Sequence, residues 1–343
     1  MAWDRIRGHQ PVVDSFRTAF NRGRFGQAYL FVGPEGIGKR LFARELAKAM
    51  LCEKPPAPLT ACNHCSACAQ VEAGTHPDLF RVHTPSGKHE LPIDEIRAFC
   101  AQMAMKPSRG SRKVGIVDDA DDFNDESANA FLKTLEEPPP GSVLVLLATT
   151  IERQLPTILS RSQIVRFSPL PSDDLRAVLA EHEIADPAQR DRLVRLAGGS
   201  PGKALALNDE EFGNVRSALI DGLTAARPNF NALADTWRSY YEGAGKETRG
   251  QRLRVSLVLR FLVEALQHAL RLSHGADSPG LDPHEESRLR SFADRAGSDR
   301  LLELIDICVE ADYRVERRVQ TILIVESVLE QFIANHSLTG ASP

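Results

Sequence analysis

The segment GPEGIGKR, residues 33–40, constrains the fold of this chain more than any other stretch. An apolar, β-prone run precedes it, and apolar residues at helical spacing follow it. Between a strand and a helix, glycines let backbone N–H groups face a phosphate, the helix dipole adds positive charge, and a lysine reaches the terminal phosphates. The residues that match this pattern are Gly33, Gly36, Gly38 and Lys39. The sequence therefore predicts an α/β domain with a phosphate-binding loop, the alternative being a glycine-rich turn without a ligand.

The residue after this lysine departs from the pattern. The pattern has Ser or Thr there, with a hydroxyl that ligates Mg²⁺, whereas this chain has Arg40. A guanidinium has N–H donors and no lone pair, so Arg40 cannot coordinate a metal, although it could contact a phosphate. We therefore expect a degenerate nucleotide-binding site in which ATP and Mg²⁺ do not support turnover.

A second apolar strand, which begins at Val114, ends in the acidic sequence DDAD. Asp118 is at the position from which a phosphate-binding domain holds magnesium, and Asp119 is where a hydrolysing enzyme of this kind has Glu. Aspartate is shorter by one methylene, which would leave its carboxylate about 1 Å too far from an attacking water, and such a displacement can cost ~100-fold in rate. The alternative is an exposed strand end with capping acids.

A third apolar strand, residues 143–148, is followed by Thr149 and Thr150. The carboxyl ends of neighbouring parallel strands meet at one edge of a sheet. Thr149 is therefore predicted to lie near a phosphate bound by the glycine-rich loop.

Four of the six cysteines are concentrated in a short segment directly after the helix of the phosphate-binding loop. They are Cys52, Cys62, Cys65 and Cys68. Clustered cysteines in a reducing compartment indicate a metal site rather than disulfides. Four thiolates suit tetrahedral Zn²⁺ and leave no open position for catalysis, so we predict a structural zinc module. Replacement of one cysteine by His64, or four free thiols, are the alternatives.

The 343-residue chain is long enough for two or three domains, and its formal charge of −4 argues against a wholly basic nucleic-acid binder. The amino terminus has no apolar signal-peptide core, and charged residues interrupt the most apolar window, residues 253–272. We therefore expect a cytoplasmic protein without a membrane segment.

His76 and Asp78 are two further polar residues with possible catalytic roles, placed in a turn before a predicted strand. No nucleophile and no metal-binding pattern accompanies them. We interpret them as a turn histidine and a capping aspartate.

Several motifs occur together with GPEGIGKR: LKTLEEPP, the strand ending in DDAD, LPTILSRS and GGSPGKAL. In this combination the sequence from about Arg5 to Leu207 resembles the clamp-loader branch of the AAA+ proteins. The resemblance implies that Thr149 is the sensor-one residue, that Arg161 acts in trans on a nucleotide of a neighbouring subunit, and that Lys203 is at the sensor-two position. Two residues depart from that family's pattern: Ser162 replaces a cysteine next to Arg161, and Lys203 replaces an arginine.

The resemblance also implies a domain organisation. Residues 1–167 would form the AAA+ domain, a parallel sheet flanked by helices, with the zinc module at 52–68. Residues 168–208 would form a small helical lid, residues 209–337 an all-α collar for oligomerisation, and residues 338–343 a tail. Long amphipathic runs in the carboxyl-terminal part agree with a helical bundle.

The resemblance further implies a subunit of the DNA polymerase III clamp loader, which uses ATP to place a sliding clamp on primed DNA during replication. Its partners would be gamma/tau-like and delta-like subunits in a hetero-oligomer, with clamp and DNA reached through the complex. The chain would be a scaffold and arginine donor with no ATPase of its own. The alternative, an ATP-hydrolysing gamma/tau-like motor, is disfavoured by Arg40 and Asp119. A zinc-dependent DNA-binding protein would need more basic residues near the cysteines than Lys54 and His64.

Overall fold

The computed structural model describes residues 3–85, 88, 90–225, 228–245, 248–278, 281, 283–316 and 319–333. The chain forms two compact units, residues 1–183 with 198–202 and residues 184–197 with 203–343. The three-domain division stays a prediction, and its tail, residues 338–343, lies outside the described residues. Among the described residues, no helix combines the length and apolarity needed to cross a bilayer.

The first unit is built on a five-stranded parallel sheet with the strand order β2-β3-β4-β1-β5. The strands are β1 Ala28–Val32, β2 Leu79–Val82, β3 Lys113–Val117, β4 Ser142–Ala148 and β5 Gln163–Arg166. Strand β4 pairs with both β1 and β3, so the segments that follow these three strands meet at one edge. This arrangement confirms the predicted parallel sheet flanked by helices.

Helices pack on both faces of this sheet, so its central strands are buried along their whole length and read as unbroken apolar runs. On one face, Phe99 and Phe131 belong to the same buried cluster as Leu146. On the other, Phe31 contacts Phe42, with ring centroids 5.5 Å apart. The helices of this unit are α1 Gln10–Asn21, α2 Lys39–Leu51, α3 Ser66–Ala73, α4 Ile93–Ala104, α5 Asp125–Glu136, α6 Pro156–Leu159 and α7 Ser172–Glu181, with a 3-10 helix at Ala120–Asp122.

The rest of the described chain is helical, as the amphipathic runs predict. Its helices are α8 Pro187–Ala197, α9 Pro201–Leu207, α10 Glu210–Thr224, α11 Phe230–Glu242, α12 Thr248–Ser273, α13 Pro283–Ala296, α14 Ser298–Glu316 and α15 Thr321–Ile333. Helix α12 packs along α13 and α14, and its middle turns, including Leu257, Val258 and Phe261, are fully buried. A helix that is apolar on most of its circumference forms the centre of a bundle.

Candidate functional site

The loop between β1 and α2 has the backbone of a phosphate-binding loop. Gly38 has a left-handed φ of 107°, which an L-residue rarely adopts, and it precedes the first residue of α2, Lys39. Lys39 is buried, and its Nζ donates hydrogen bonds to the carbonyls of Gly33 and Pro34, the latter at 2.8 Å. The loop therefore holds its lysine against its own backbone, at the N-terminus of a helix where an anion is stabilised.

Three residues that the sequence analysis did not identify as site residues form hydrogen bonds to this loop from other segments of the chain. His9 contacts the carbonyl of Ile37 at 3.0 Å through Nε2, and the Ser200 hydroxyl donates to the carbonyl of Glu35 at 2.8 Å. Burial lowers the pKa of His9, and because a carbonyl oxygen can only accept, the Nε2–H is the donor in this contact. The backbone N–H of Gly202 donates to the carbonyl of Gly36 at 2.9 Å.

Gly202 approaches the loop so closely that no side chain fits there. A Cβ at this position would lie 2.8 Å from the Cα of Gly36. The GGSPGKAL motif thus contacts the phosphate-binding loop directly, because Ser200 and Gly202 bond to the carbonyls of Glu35 and Gly36. Lys203 itself is buried in α9 and belongs to the second unit.

Arg40 forms an ion pair with Asp118, through Nε and a carboxylate oxygen. Asp118 is the residue predicted at the magnesium position, and its side chain is only 13% exposed, against 55% for Arg40. Arg81 on β2 adds a second positive charge nearby: burial lowers its pKa, and the carboxylate of Asp118 opposes that shift. The protein's own cations therefore neutralise the carboxylate that the sequence analysis predicts at the magnesium position.

Asp121 binds two residues of the segment that follows β4 at this edge of the sheet. Its carboxylate accepts hydrogen bonds from the backbone N–H of Thr149 and from the amide of Gln154, both at 2.8 Å. Asp119 has a left-handed backbone, with φ 58°, where the chain leaves β3 for the 3-10 helix. The structure thus brings the phosphate-binding loop, Asp118 and Thr149 to neighbouring strand ends, while the shortened-base role of Asp119 stays a prediction.

Arg161 is held by an acidic residue from a different helix. Its Nε and Nη2 donate to one oxygen of Glu136, at 2.8 and 2.6 Å. Nη1 donates to the carbonyl of Thr157 and to the hydroxyl of Ser160. The arginine side chain is 32% exposed, so the guanidinium is ordered at the surface. Sequence reasoning did not identify Glu136, although it belongs to the LEEPP motif.

The thiols of Cys52, Cys62, Cys65 and Cys68 form one cluster in which all sulfur atoms lie within 4.8 Å of one another. The sulfur of Cys52 is 3.9 Å from that of Cys65, and the sulfur of Cys62 is 4.0 Å from that of Cys68. Zn–S bonds of about 2.3 Å in a tetrahedron place the sulfurs ~3.8 Å apart, so this donor set fits zinc.

The polar groups around the cluster agree with four sulfur ligands. The backbone N–H of His64 lowers the pKa of Cys62 to about 6, which favours a thiolate at neutral pH. Burial raises the pKa of Cys68, a shift that a bound cation opposes. The ring of His64 contacts the carbonyl of Cys62 at 2.7 Å and is not part of the cluster. The cysteines rather than His64 are therefore placed to hold a metal.

Ion pairs connect the cysteine module, here defined as residues 52–73 with α3 at its end, to the helix of the phosphate-binding loop. Glu72 on α3 contacts Lys48 of α2 at 2.9 Å, Arg44 at 3.3 Å and Arg5 at 3.0 Å. The hydrogen bond from Lys48, with the nearby arginines, lowers the pKa of Glu72 to about 2. Distortion of the cysteine module is therefore expected to disturb α2.

Asp78 has a structural role, but the role differs from that of a capping aspartate, because its carboxylate binds a loop distant in sequence. It is fully buried, and its carboxylate accepts hydrogen bonds from the backbone N–H groups of Ser108 and Arg109, at 2.6 and 2.7 Å. Its own backbone N–H donates to His76 Nδ1 at 3.1 Å. The two side chains thus order a turn and the basic loop that leads into β3.

Comparison with known proteins finds similarity to subunits of DNA polymerase III. The family model described as "DNA polymerase III, delta subunit" matches residues 8–171. The DNA polymerase III subunit delta' of Pseudomonas aeruginosa is 29% identical over 91% of this chain and 93% of its own length, and that of Escherichia coli K12 is 29% identical over 87% and 86%. The tau subunit of Salmonella typhimurium is 35% identical over 67% of this chain but only 36% of its own length.

Proposed function

Because this chain is a delta-prime-like member of the clamp-loader branch of the AAA+ family, we propose that it is the scaffold and arginine donor of a clamp-loader complex. The observation that supports this role best is the pair between Arg40 and Asp118. A chain that neutralises its own magnesium carboxylate is poorly suited to turnover, whereas Arg161 remains ordered and partly exposed. The chain's contribution to ATP hydrolysis would therefore be made in a neighbouring subunit.

The proposed complex is a hetero-oligomer of DNA polymerase III subunits in the bacterial cytoplasm. Relatives of this chain are delta' and tau subunits, so gamma/tau-like and delta-like chains are the proposed partners. The helical second unit, with α12 at its centre, would be the collar through which the subunits associate. The complex would use ATP to open a sliding clamp and load it on primed DNA.

Two groups of residues would act in this complex without turnover in this chain. The guanidinium of Arg161 would stabilise negative charge that develops on the γ-phosphoryl oxygens of a partner's ATP. Cys52, Cys62, Cys65 and Cys68 would hold one Zn²⁺, which supplies folding free energy and no chemistry, because all four ligand positions are protein sulfurs.

A gamma/tau-like motor is the second candidate, and the similarity to tau subunits favours it. The two candidates differ in whether this chain hydrolyses ATP. In a motor, the residue after the loop lysine would ligate Mg²⁺ together with the Walker B carboxylate. In this chain Arg40 is the residue after the loop lysine, and it is paired with Asp118, which is at the position of the Walker B carboxylate.

We expect the purified wild-type chain to hydrolyse ATP no faster than a Lys39→Ala variant. The Mg²⁺-ligating hydroxyl is absent, and the magnesium carboxylate is neutralised by Arg40. Steady-state phosphate release at saturating ATP and Mg²⁺, measured for both proteins, tests this expectation. Wild-type turnover clearly above that of Lys39→Ala would favour the motor instead.

An Arg40→Thr variant tests whether Arg40 is the residue that prevents Mg²⁺ from binding with ATP. Threonine restores the hydroxyl and releases Asp118, so Mg²⁺ should tighten ATP binding to this variant and not to the wild type. Equilibrium titration with ATP, in Mg²⁺ and in EDTA, measures the difference. Equal effects of Mg²⁺ on the two proteins would show that Arg40 does not exclude the metal.

A further inference from the structure

We propose that Glu136 is the positioning residue for Arg161: its carboxylate fixes the guanidinium in the orientation in which the arginine acts on a partner's nucleotide. This inference rests on the proposed function and assigns a role to a residue that does not itself touch the reacting phosphate. The pair joins the end of α5 to the segment after α6.

The hydrogen bonds of the guanidinium show how it is oriented. Glu136 Oε1 accepts from both Nε and Nη2, at 2.8 and 2.6 Å. On the other side, Nη1 donates to the carbonyl of Thr157 at 3.1 Å and to the hydroxyl of Ser160 at 3.0 Å. A guanidinium has five N–H donors, and the second N–H of Nη2 has no acceptor in the described part of the chain. The group is thus fixed on both sides while a donor remains for an incoming anion.

Glu136 is at a helix position that does not favour a carboxylate. It is the last residue of α5, where the negative end of the helix dipole disfavours a carboxylate. Pro138 disfavours helical backbone at Glu137, whose φ and ψ of −127° and 69° end the helix. The helix end therefore sets the position from which the Glu136 carboxylate reaches Arg161.

The pair contributes little to folding and can still matter for rate. The side chain of Glu136 is 48% exposed and that of Arg161 32%, and ion pairs at such exposure stabilise a protein weakly. A flexible arginine released from this pair would lose its alignment, and misplacement of about 1 Å can cost ~100-fold in rate. Loss of the carboxylate should thus lower the rate of ATP turnover by the complex and leave the thermal stability of this chain nearly unchanged.

The test uses the full complex reconstituted with its ATP-hydrolysing partner subunits, sliding clamp and primed DNA. We expect Glu136→Ala, which removes the accepting oxygen, to lower kcat for ATP roughly 10- to 100-fold with little change in KM, because alignment matters most in the transition state. The matched control is Glu137→Ala, which removes the adjacent carboxylate, for which the structure gives no bond to Arg161. Assembly and the thermal unfolding midpoint should be the same for both variants.

The double variant Glu136→Ala/Arg161→Ala shows whether Glu136 affects the rate only through Arg161 or also independently of it. If Glu136 acts through Arg161, the double variant is no slower than Arg161→Ala alone. The inference would be overturned if the losses of the two single variants multiply in the double variant, or if kcat for Glu136→Ala is unchanged or faster. The arginine-donor function would still stand if Arg161→Ala is slow. Normal turnover of Arg161→Ala in an intact complex would overturn both.

Discussion

Replacement of Arg161 by alanine is expected to lower the DNA-stimulated ATP turnover of the partner subunits by roughly 10³- to 10⁵-fold in an intact complex. Arginines supplied in trans have effects of this size because they stabilise charge that develops on the transferred phosphoryl group. The effect does not require this chain to hydrolyse ATP, which agrees with the pairing of Arg40 with Asp118.

The measurement is steady-state ATPase together with clamp loading, after assembly is verified by size-exclusion chromatography. Arg166→Ala is the matched control, since Arg166 is an exposed arginine on the adjacent strand β5. Arg161→Lys keeps the charge but loses the planar fork, so its rate should stay well below that of the wild type. Full activity of Arg161→Ala would mean that the residue only closes the turn after α6.

Loss of the zinc site is expected to unfold the cysteine module. Structural zinc contributes apparent binding free energies of about 10–16 kcal/mol in small zinc domains, which is comparable to the about 5–15 kcal/mol that stabilises a whole protein. Cys65→Ser removes one of four ligands, while the serine hydroxyl can still cap α3, so the variant tests the loss of the metal site. Because Glu72 of α3 pairs with Lys48 of α2, the damage should extend to the helix of the phosphate-binding loop.

Elemental analysis is expected to find about one Zn²⁺ per wild-type chain and much less in Cys65→Ser. Thermal unfolding should show a markedly lower midpoint for that variant and for wild type treated with a chelator. Cys100→Ser is the matched control, because Cys100 is half-buried on α4, outside the cluster. Full zinc content in Cys65→Ser, or zinc-free wild-type protein of unchanged stability, would contradict the assignment.

The sequence alone predicted those features whose determinants are close together along the chain. The phosphate-binding loop is recognisable because its glycines and Lys39 occupy fixed offsets between one strand and one helix. The central strands were predictable because burial on both faces makes them continuous apolar runs. The cysteine cluster followed from local density, and the structure brings the same four sulfurs together.

Only the tertiary structure decided which side chains meet across the fold. From sequence, Arg40 is a residue that cannot ligate a metal; its pairing with Asp118 depends on β1 and β3 both lying beside β4. The contacts of His9 and Gly202 with the phosphate-binding loop, and of Glu136 with Arg161, likewise join segments far apart in sequence. Hydrophobic periodicity and local motifs report a residue's own strand or helix, whereas these contacts depend on how the packed elements are placed in space.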